Sequence, residues 1–209
     1  MTSYLTVARR GEAEIEVKRS RFRCTLARVQ DEAAARAVVD DARRRFWDAR
    51  HHCSAFVLGP DASVMRSSDD GEPAGTAGGP MLAALHGREV SDVVAVVTRW
   101  FGGVLLGAGG LVRAYGDAVR AGLDEVGLQR RQLMGEWSMS LHHADAARLE
   151  SELRSRGVGI VDVDHAARVA LRVVVPSGGE EELHALVAEL TGGRAIPVAA
   201  GERWVDVPE

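Results

Sequence analysis

The sequence is poor in the residues that mark several classes of protein. Among its 209 residues only Cys24 and Cys53 are cysteines, too few for a disulfide framework, and neither belongs to a CxxC pair of the kind that binds zinc or exchanges disulfides. No run approaches the roughly 18 apolar residues that span a bilayer, and the first residues lack the apolar core of a signal peptide. We therefore expect a protein of the reducing cytoplasm with no membrane partner.

The sequence also lacks an overall excess of positive charge. Its 26 Lys and Arg residues against 30 Asp and Glu residues give a formal net charge of −4, whereas many proteins that coat DNA are strongly basic. Any contact with nucleic acid must therefore come from a local basic surface. The segment Lys18-Arg19-Ser20-Arg21 is a compact basic cluster of this kind.

Apolar patterning in the first half alternates between the periods of strands and helices. Period-two alternation and β-forming runs predict strands at 14–18, 22–26, 53–58, 63–66 and 92–101, and helical spacing predicts helices at 31–46, 81–85 and 111–126. The run 92–101 is almost entirely β-forming, which suits a strand covered on both faces. Gly127 is well placed to end the last helix.

The second half begins after a polar segment, 128–136, that has no clear period. We place a boundary there and expect domains at 1–130 and 136–209. The second domain has the order βαββαβ, with a capping box predicted at 177–180 before its second helix. This order is the ferredoxin-like plan of an antiparallel sheet and two helices, so the chain is predicted to be an α+β protein of two domains. Many unrelated functions use that plan, and it identifies none of them.

The end of the 92–101 run is rich in glycine, with Gly102, Gly103, Gly107, Gly109 and Gly110 before the next helix. A strand-to-helix junction of this kind favours an anion, because backbone N–H groups are exposed at the helix N-terminus. A Walker loop would need a Lys-Ser/Thr pair, and a dinucleotide loop would need glycine where Val112 stands, so we expect no nucleotide cofactor. Two alternatives remain: the glycines allow backbones to cross closely, or they form an anion site with Arg99 and Arg113.

The stretch SDDGEPAGTAGGP, residues 68–80, places three carboxylates beside glycines. Asp69, Asp70 and Glu72 could neutralise a nearby arginine, cap the N–H groups of the loop, or hold a hard cation. Three acids without further spacing rules are a weak metal signal. We therefore predict no metal site.

An enzyme is the alternative raised by His51 and His52. Either could act as a general base with a carboxylate from 69–72 as its partner. His52 and Cys53 cannot meet by being adjacent, because neighbours on a strand point to opposite faces. Neither a GxSxG nor an HExxH pattern occurs, so hydrolase chemistry has no specific support.

Three separated motifs resemble those of the YigZ/Impact family and occur in the family's order: DARHHCSA at 48–55, SDDGEPAGTAGGP at 68–80 and VVTRWFGGVLLGAGGLVRAYGDAV at 96–119. The basic motif that opens the family's domain is similar to Lys18, Ser20, Arg21 and Phe22. The chain departs from the family at Trp100, where tyrosine is usual, and so lacks a hydroxyl there. The resemblance implies a motif surface that includes His51, His52, Asp69, Asp70, Gly71, Glu72 and Thr76.

The resemblance implies a first domain with the fold of the second domain of ribosomal protein S5. The second domain would then be similar to the C-terminal domain of elongation factor G. Because both of those proteins work on the ribosome, we expect a non-enzymatic protein that binds RNA or a ribosomal component and regulates translation. Phosphates would be met by Lys18, Arg21, Arg99 and Arg113, with Trp100 stacking on a base. Eukaryotic relatives restrain a translation-control kinase, which leaves a module that binds a protein partner of the translation machinery as a further alternative.

Overall fold

The computed structural model describes residues 1–208, which form two compact units, essentially 3–131 and 132–206. The first unit contains six strands and three helices: β1 (Ser3–Val7), β2 (Gly11–Val17), β3 (Ser20–Arg28), α1 (Glu32–Arg45), β4 (His51–Leu58), β5 (Val64–Ser68), α2 (Gly78–His86), β6 (Val93–Trp100) and α3 (Ala108–Val126). The remaining elements are β7 (Leu128–Leu141), α4 (His143–Ser155), β8 (Gly159–His165), β9 (Val169–Pro176), α5 (Glu180–Thr191) and β10 (Val198–Val207). The predicted α+β fold of two domains is confirmed.

The sheet of the first unit has the order β2-β3-β6-β4-β5, and neighbouring strands are antiparallel. The central strand β6 is buried on both faces, as its sequence predicts. Val93, Ala95 and Val97 belong to the core shared with α2 and α3, whereas Val94 and Val96 belong to a second core beneath α1. Helices therefore cover both faces of the sheet, and the loops at the end of β6 lie at its rim.

In the second unit β7 pairs with β9 and β9 with β8, and β10 also pairs with β7. The alternating residues Val169, Leu171, Val173 and Val175 of β9 are all buried and pack with apolar residues of α4 and α5. The order βαββαβ is therefore present as predicted. No helix of residues 1–208 combines the length and the apolar character that crossing a membrane requires.

Three details differ from the sequence predictions. Residues 128–136 are not irregular but form most of the 14-residue strand β7, whose side chains are mostly half-buried and so show no alternation. The capping box at 177–180 is wrong, because Gly179 is the N-cap of α5 and no side chain caps it. Strand β1 has no counterpart in the sequence predictions.

Candidate functional site

Asp69 organises the loop that follows β5. Its carboxylate accepts hydrogen bonds from the backbone N–H groups of Gly75 (2.7 Å), Gly78 (2.8 Å) and Ala77 (3.0 Å). Burial alone would raise the pKa of the Asp69 carboxyl, but these three N–H groups outweigh that effect and hold its pKa below the ordinary value. The first acid of the stretch 68–80 therefore caps the start of α2 and shapes the glycine-rich loop.

Asp70 ties three elements together. Its carboxylate accepts hydrogen bonds from Arg43 at the end of α1 and from the backbone N–H of His52, each at 2.7 Å. Its carbonyl oxygen accepts a hydrogen bond from Nδ1 of His51 at 2.9 Å. Asp70 and Gly71 both have positive φ, 43° and 83°, so the chain reverses sharply between β5 and the loop.

Glu72 is buried and pairs with two residues from distant parts of the chain. Its Oε1 accepts hydrogen bonds from Nη1 of Arg99 at 2.6 Å and from the hydroxyl of Tyr115 at 2.8 Å. The side chains of Glu72 and Arg99 are 3% and 7% exposed. Burial raises the pKa of the Tyr115 hydroxyl, and the nearby Cys53 and Glu72 raise it further. Arg99 is therefore paired with a carboxylate of the 68–80 stretch and is not left free for an external anion.

His52 and Cys53 are held in structural roles. Nε2 of His52 donates to the carbonyl oxygen of Phe46 at 3.1 Å, and burial lowers the pKa of this imidazole. The thiol of Cys53 donates to the carbonyl oxygen of Asp69 at 2.9 Å, and burial raises its pKa to about 12. A nucleophile needs a thiolate, which the raised pKa of Cys53 disfavours. Nδ1 of His52 makes no hydrogen bond within residues 1–208 and lies 3.9 Å from Oδ2 of Asp70, beyond hydrogen-bond distance.

The remaining residue of the acidic motif also serves the loop. The hydroxyl of Thr76 donates to the carbonyl oxygen of Pro73 at 2.6 Å, and the side chain is buried. Among residues 1–208, no group of three or more His, Cys, Asp or Glu side chains is arranged to hold a metal ion. The acids of the motif are thus engaged with backbone N–H groups, arginines and a tyrosine.

The basic cluster forms the turn between β2 and β3. Val17 pairs with Ser20, so Lys18 and Arg19 make a two-residue turn, and their φ angles are 47° and 65°. Turns with positive φ at both central residues strongly prefer Asn-Gly, because other side chains are strained there. Lys18 and Arg19 are exposed, and within residues 1–208 neither side chain has a hydrogen bond or an ion pair. The turn therefore presents two free cations on a strained backbone.

The turn rests directly on the glycine cluster. The N–H of Gly102 donates to the hydroxyl of Ser20 at 3.1 Å, and a Cβ at Gly102 would lie 2.0 Å from the carbonyl carbon of Arg19. Only glycine fits such a contact, so the close-crossing alternative applies to Gly102.

The other positions of the cluster accommodate glycine for different physical reasons. Gly103 and Gly107 have φ angles of 82° and 74°, which glycine adopts readily. A Cβ at Gly110 would lie 3.0 Å from Cβ of Leu106, whereas a Cβ at Gly109 would meet nothing within 4 Å. Gly107 is the N-cap of α3 and provides no side chain to cap it, and the first turn of α3 contains no acid. The backbone at the start of α3 is therefore open.

Trp100 and Arg21 lie opposite each other in the ladder between β3 and β6. The guanidinium of Arg21 lies over the indole of Trp100, 4.7 Å from the ring centroid, and is 3.8 Å from Glu14. The indole N–H of Trp100 donates to Asp48 at 2.9 Å. The Trp100 ring thus makes its own hydrogen bond, and one of its faces is already covered.

The structure brings the hairpin cations and Gly102 together, and it places Arg113 on the exposed side of α3, where no partner for its side chain lies within residues 1–208. It also exposes apolar residues that the sequence interpretation did not single out: Phe101, Val104, Leu105 and Val112. The sequence did contain a signal for their exposure, because a short apolar run that glycines interrupt cannot pack continuously into a core.

The comparisons with known proteins match both units of the chain to known families. The Impact N-terminal domain matches residues 18–123, and a domain of unknown function, DUF1949, matches residues 139–194. The chain is 40% identical to the IMPACT family member YigZ of Escherichia coli, over 92% of this chain and 96% of that protein. It belongs to the IMPACT family. It is also 39% identical to the family member YvyE of Bacillus subtilis, over 92% of this chain and 89% of the relative.

One solved structure and a eukaryotic relative extend this comparison. A crystal structure described as that of a hypothetical protein is 41% identical, has a TM-score of 0.64, and covers 95% of this chain and 98% of its own. A protein IMPACT homologue of Saccharomyces cerevisiae is 36% identical over 50% of this chain and 43% of its own length. The eukaryotic match is thus shorter than the matches to YigZ and YvyE, which span both units of this IMPACT family member.

Proposed function

We propose that this IMPACT family member is a non-enzymatic cytoplasmic protein that binds RNA or a ribosomal component and regulates translation. The observation that carries the proposal is the turn of Lys18 and Arg19. Both residues are exposed, neither side chain has a partner within residues 1–208, and both have positive φ. A different pair of residues would relieve this backbone strain. A strained pair is expected to be kept where its side chains have a function of their own. Two free cations in one turn are suited to phosphates.

Further groups support a polyanion at this surface. Arg113 supplies another free cation on α3, and the open N-terminus of α3 at 107–109 offers N–H groups to an anion. Arg21 lies over Trp100 and adds a charge beside an aromatic ring. Arg99 contributes differently from the expectation, because its pairing with the buried Glu72 makes it a support beneath the surface.

The same geometry favours binding over catalysis. His52 and Cys53 donate to backbone carbonyl oxygens, and the carboxylates of Asp69, Asp70 and Glu72 accept from N–H groups, arginines and Tyr115. The enzyme alternative needs an imidazole hydrogen-bonded to a carboxylate. Nδ1 of His51 donates to a carbonyl oxygen instead, and Nδ1 of His52 is 3.9 Å from the Asp70 carboxylate, beyond hydrogen-bond distance.

The proposal is tested by measuring binding to purified ribosomes and to a short single-stranded RNA over a range of salt concentrations. The variants are Arg113→Ala and the double variant Lys18→Gln/Arg19→Gln, with Arg148→Ala as the matched control, since Arg148 is an exposed cation of the second unit. We expect wild-type affinity to fall with salt and the test variants to bind more weakly, while the control binds like wild type. Absence of binding to both ligands at low salt would overturn the proposal.

A protein partner is the second candidate, and one observation in the second unit favours it. Ile196 and Val198 are 70% and 60% exposed and line a cavity of about 500 Å³ together with Ser138, Ser140 and Arg168. Exposed apolar residues beside a cavity are typical of protein contacts. Ribosome binding that survives the basic substitutions but is lost in Ile196→Ser/Val198→Ser would favour this candidate.

A further inference from the structure

Phe101 is the outermost member of a stack that begins in the core. Phe22 packs edge-to-face against Tyr115, with ring centroids 5.2 Å apart. The guanidinium of Arg99 lies over both phenylalanine rings, 5.4 Å from the centroid of Phe22 and 5.6 Å from that of Phe101. Phe22 is fully buried, whereas Phe101 is 50% exposed. The stack therefore runs from the buried core to a half-exposed aromatic ring.

The cation beneath Phe101 is fixed in place. Arg99 donates to Glu72, which also accepts from Tyr115, and all three side chains are buried. A buried ion pair is costly to form, because two charges lose their water, and a half-exposed phenylalanine leaves apolar surface in solvent. The two costs occur at adjoining groups. The cation–π contact with the buried Arg99 positions the Phe101 ring at the surface.

The residue after Phe101 connects the ring to the free cations of the hairpin. Gly102 crosses the backbone of Arg19 at a distance that excludes any side chain, so the turn of Lys18 and Arg19 lies against the segment that carries the ring. A ligand with a flat π face and adjacent negative charges fits both features. Unpaired nucleotides have this chemistry, whereas bases in a duplex have their faces covered by their neighbours.

We propose that Phe101 stacks on an unpaired base of single-stranded RNA while Lys18 and Arg19 contact the adjoining phosphates. This inference rests on the proposed function and deepens it by naming the kind of RNA and the residue that distinguishes it. The exposed Leu105, 82% accessible, would also suit an apolar protein partner. The two partnerless cations beside Phe101 favour the polyanion.

The experiment measures the affinity of the full chain for a fluorescent oligouridylate of twelve nucleotides and for an abasic oligomer of the same length. The variants are Phe101→Ala and Phe101→Trp. Trp47→Ala is the control, because Trp47 is an exposed aromatic residue and, in the part of the chain that the structure describes, no cation lies over its ring. We expect Phe101→Ala to weaken binding to oligouridylate roughly 5- to 150-fold, the range for stacking one base on one aromatic ring. Its salt dependence should match wild type, and Phe101→Trp should retain wild-type affinity.

Binding to the abasic oligomer separates stacking from charge. We expect Phe101→Ala and wild type to bind it equally, and Trp47→Ala to bind both ligands like wild type. The inference is overturned if Phe101→Ala binds oligouridylate like wild type, if it weakens both ligands equally, or if Trp47→Ala loses as much affinity. If wild type binds neither ligand at low salt, the inference fails, and the ribosome-binding assay then decides whether the proposed function fails with it. A urea unfolding curve for each variant confirms that it is folded.

Discussion

At the scale of single residues, Glu72 does the most for the structure of the site. It is the partner that a buried Arg99 requires, and it lies 27 positions away in the sequence. The 68–80 stretch offers three carboxylates as candidates, but composition alone cannot choose among them. The choice depends on how α3 brings Tyr115 to the same point, 43 positions from Glu72. The sequence therefore predicted that an acid of this stretch could neutralise a nearby arginine, without predicting that Glu72 is the one that pairs with Arg99.

We predict that Glu72→Leu lowers the free energy of unfolding by about 3–5 kcal/mol, because it leaves the Arg99 guanidinium buried without a partner. Glu72→Gln should cost less, since its amide oxygen still accepts hydrogen bonds from Arg99 and Tyr115. Urea unfolding at pH 7 measures both. The control is Asp117→Ala, which breaks an exposed pair with Arg120 and should cost below about 1 kcal/mol. Similar losses for Glu72→Leu and the control would contradict the account.

His52 gives a prediction for pH. Burial lowers its pKa in the folded state, so below about pH 6.5, the ordinary value, the unfolded chain binds more protons than the folded one. Stability attributable to His52 is therefore present above that pH and is lost as pH falls. We expect His52→Gln, whose amide can still donate to Phe46, to lose less unfolding free energy than wild type between pH 7.5 and pH 5.5. Identical losses in urea titrations at the two pH values would count against this role.

At the scale of elements, the sequence was most informative where one physical signal dominated. Asp31 caps α1 by accepting from the N–H of Ala34 at 2.7 Å, as its position before the helix predicts. The apolar run of β6 became a strand buried on both faces. The sequence was uninformative for β7, because its half-buried side chains follow no clear period. It was misleading at α5, where residue types alone suggested a capping box that does not form.

The turn between β2 and β3 provides a prediction at this scale. The double variant Lys18→Asn/Arg19→Gly places the favoured pair where both φ angles are positive. We expect it to raise the free energy of unfolding by about 1–2 kcal/mol, since the left-handed conformation costs non-glycine residues about that much. Urea unfolding measures the gain. Lys18→Gln/Arg19→Gln is the matched control, because it removes the charges and keeps the strain. A control that gained as much stability would show that charge repulsion, not strain, is relieved.

At the scale of the whole molecule, the net charge of −4 and the proposed RNA surface are compatible because the free cations are local. Most arginines around α1 are neutralised, for example Arg10 by Asp41 and Arg23 by Glu14. The turn of Lys18 and Arg19 and the side chain of Arg113 are not. Charge composition alone could not reveal this, since it depends on which charges the fold brings into contact. Membership of the IMPACT family was visible from the order of three motifs across the chain.

The most direct test of the proposed RNA surface compares wild type with Lys18→Asn/Arg19→Gly in binding a single-stranded RNA over a range of salt. We expect the affinity of wild type to fall steeply with salt. The variant, although more stable, should bind more weakly and with a slope of log affinity against log salt that is shallower by about 1.4, because each lost single-strand phosphate contact removes about 0.7. Equal slopes for the two proteins, or no RNA binding by wild type at low salt, would contradict the account.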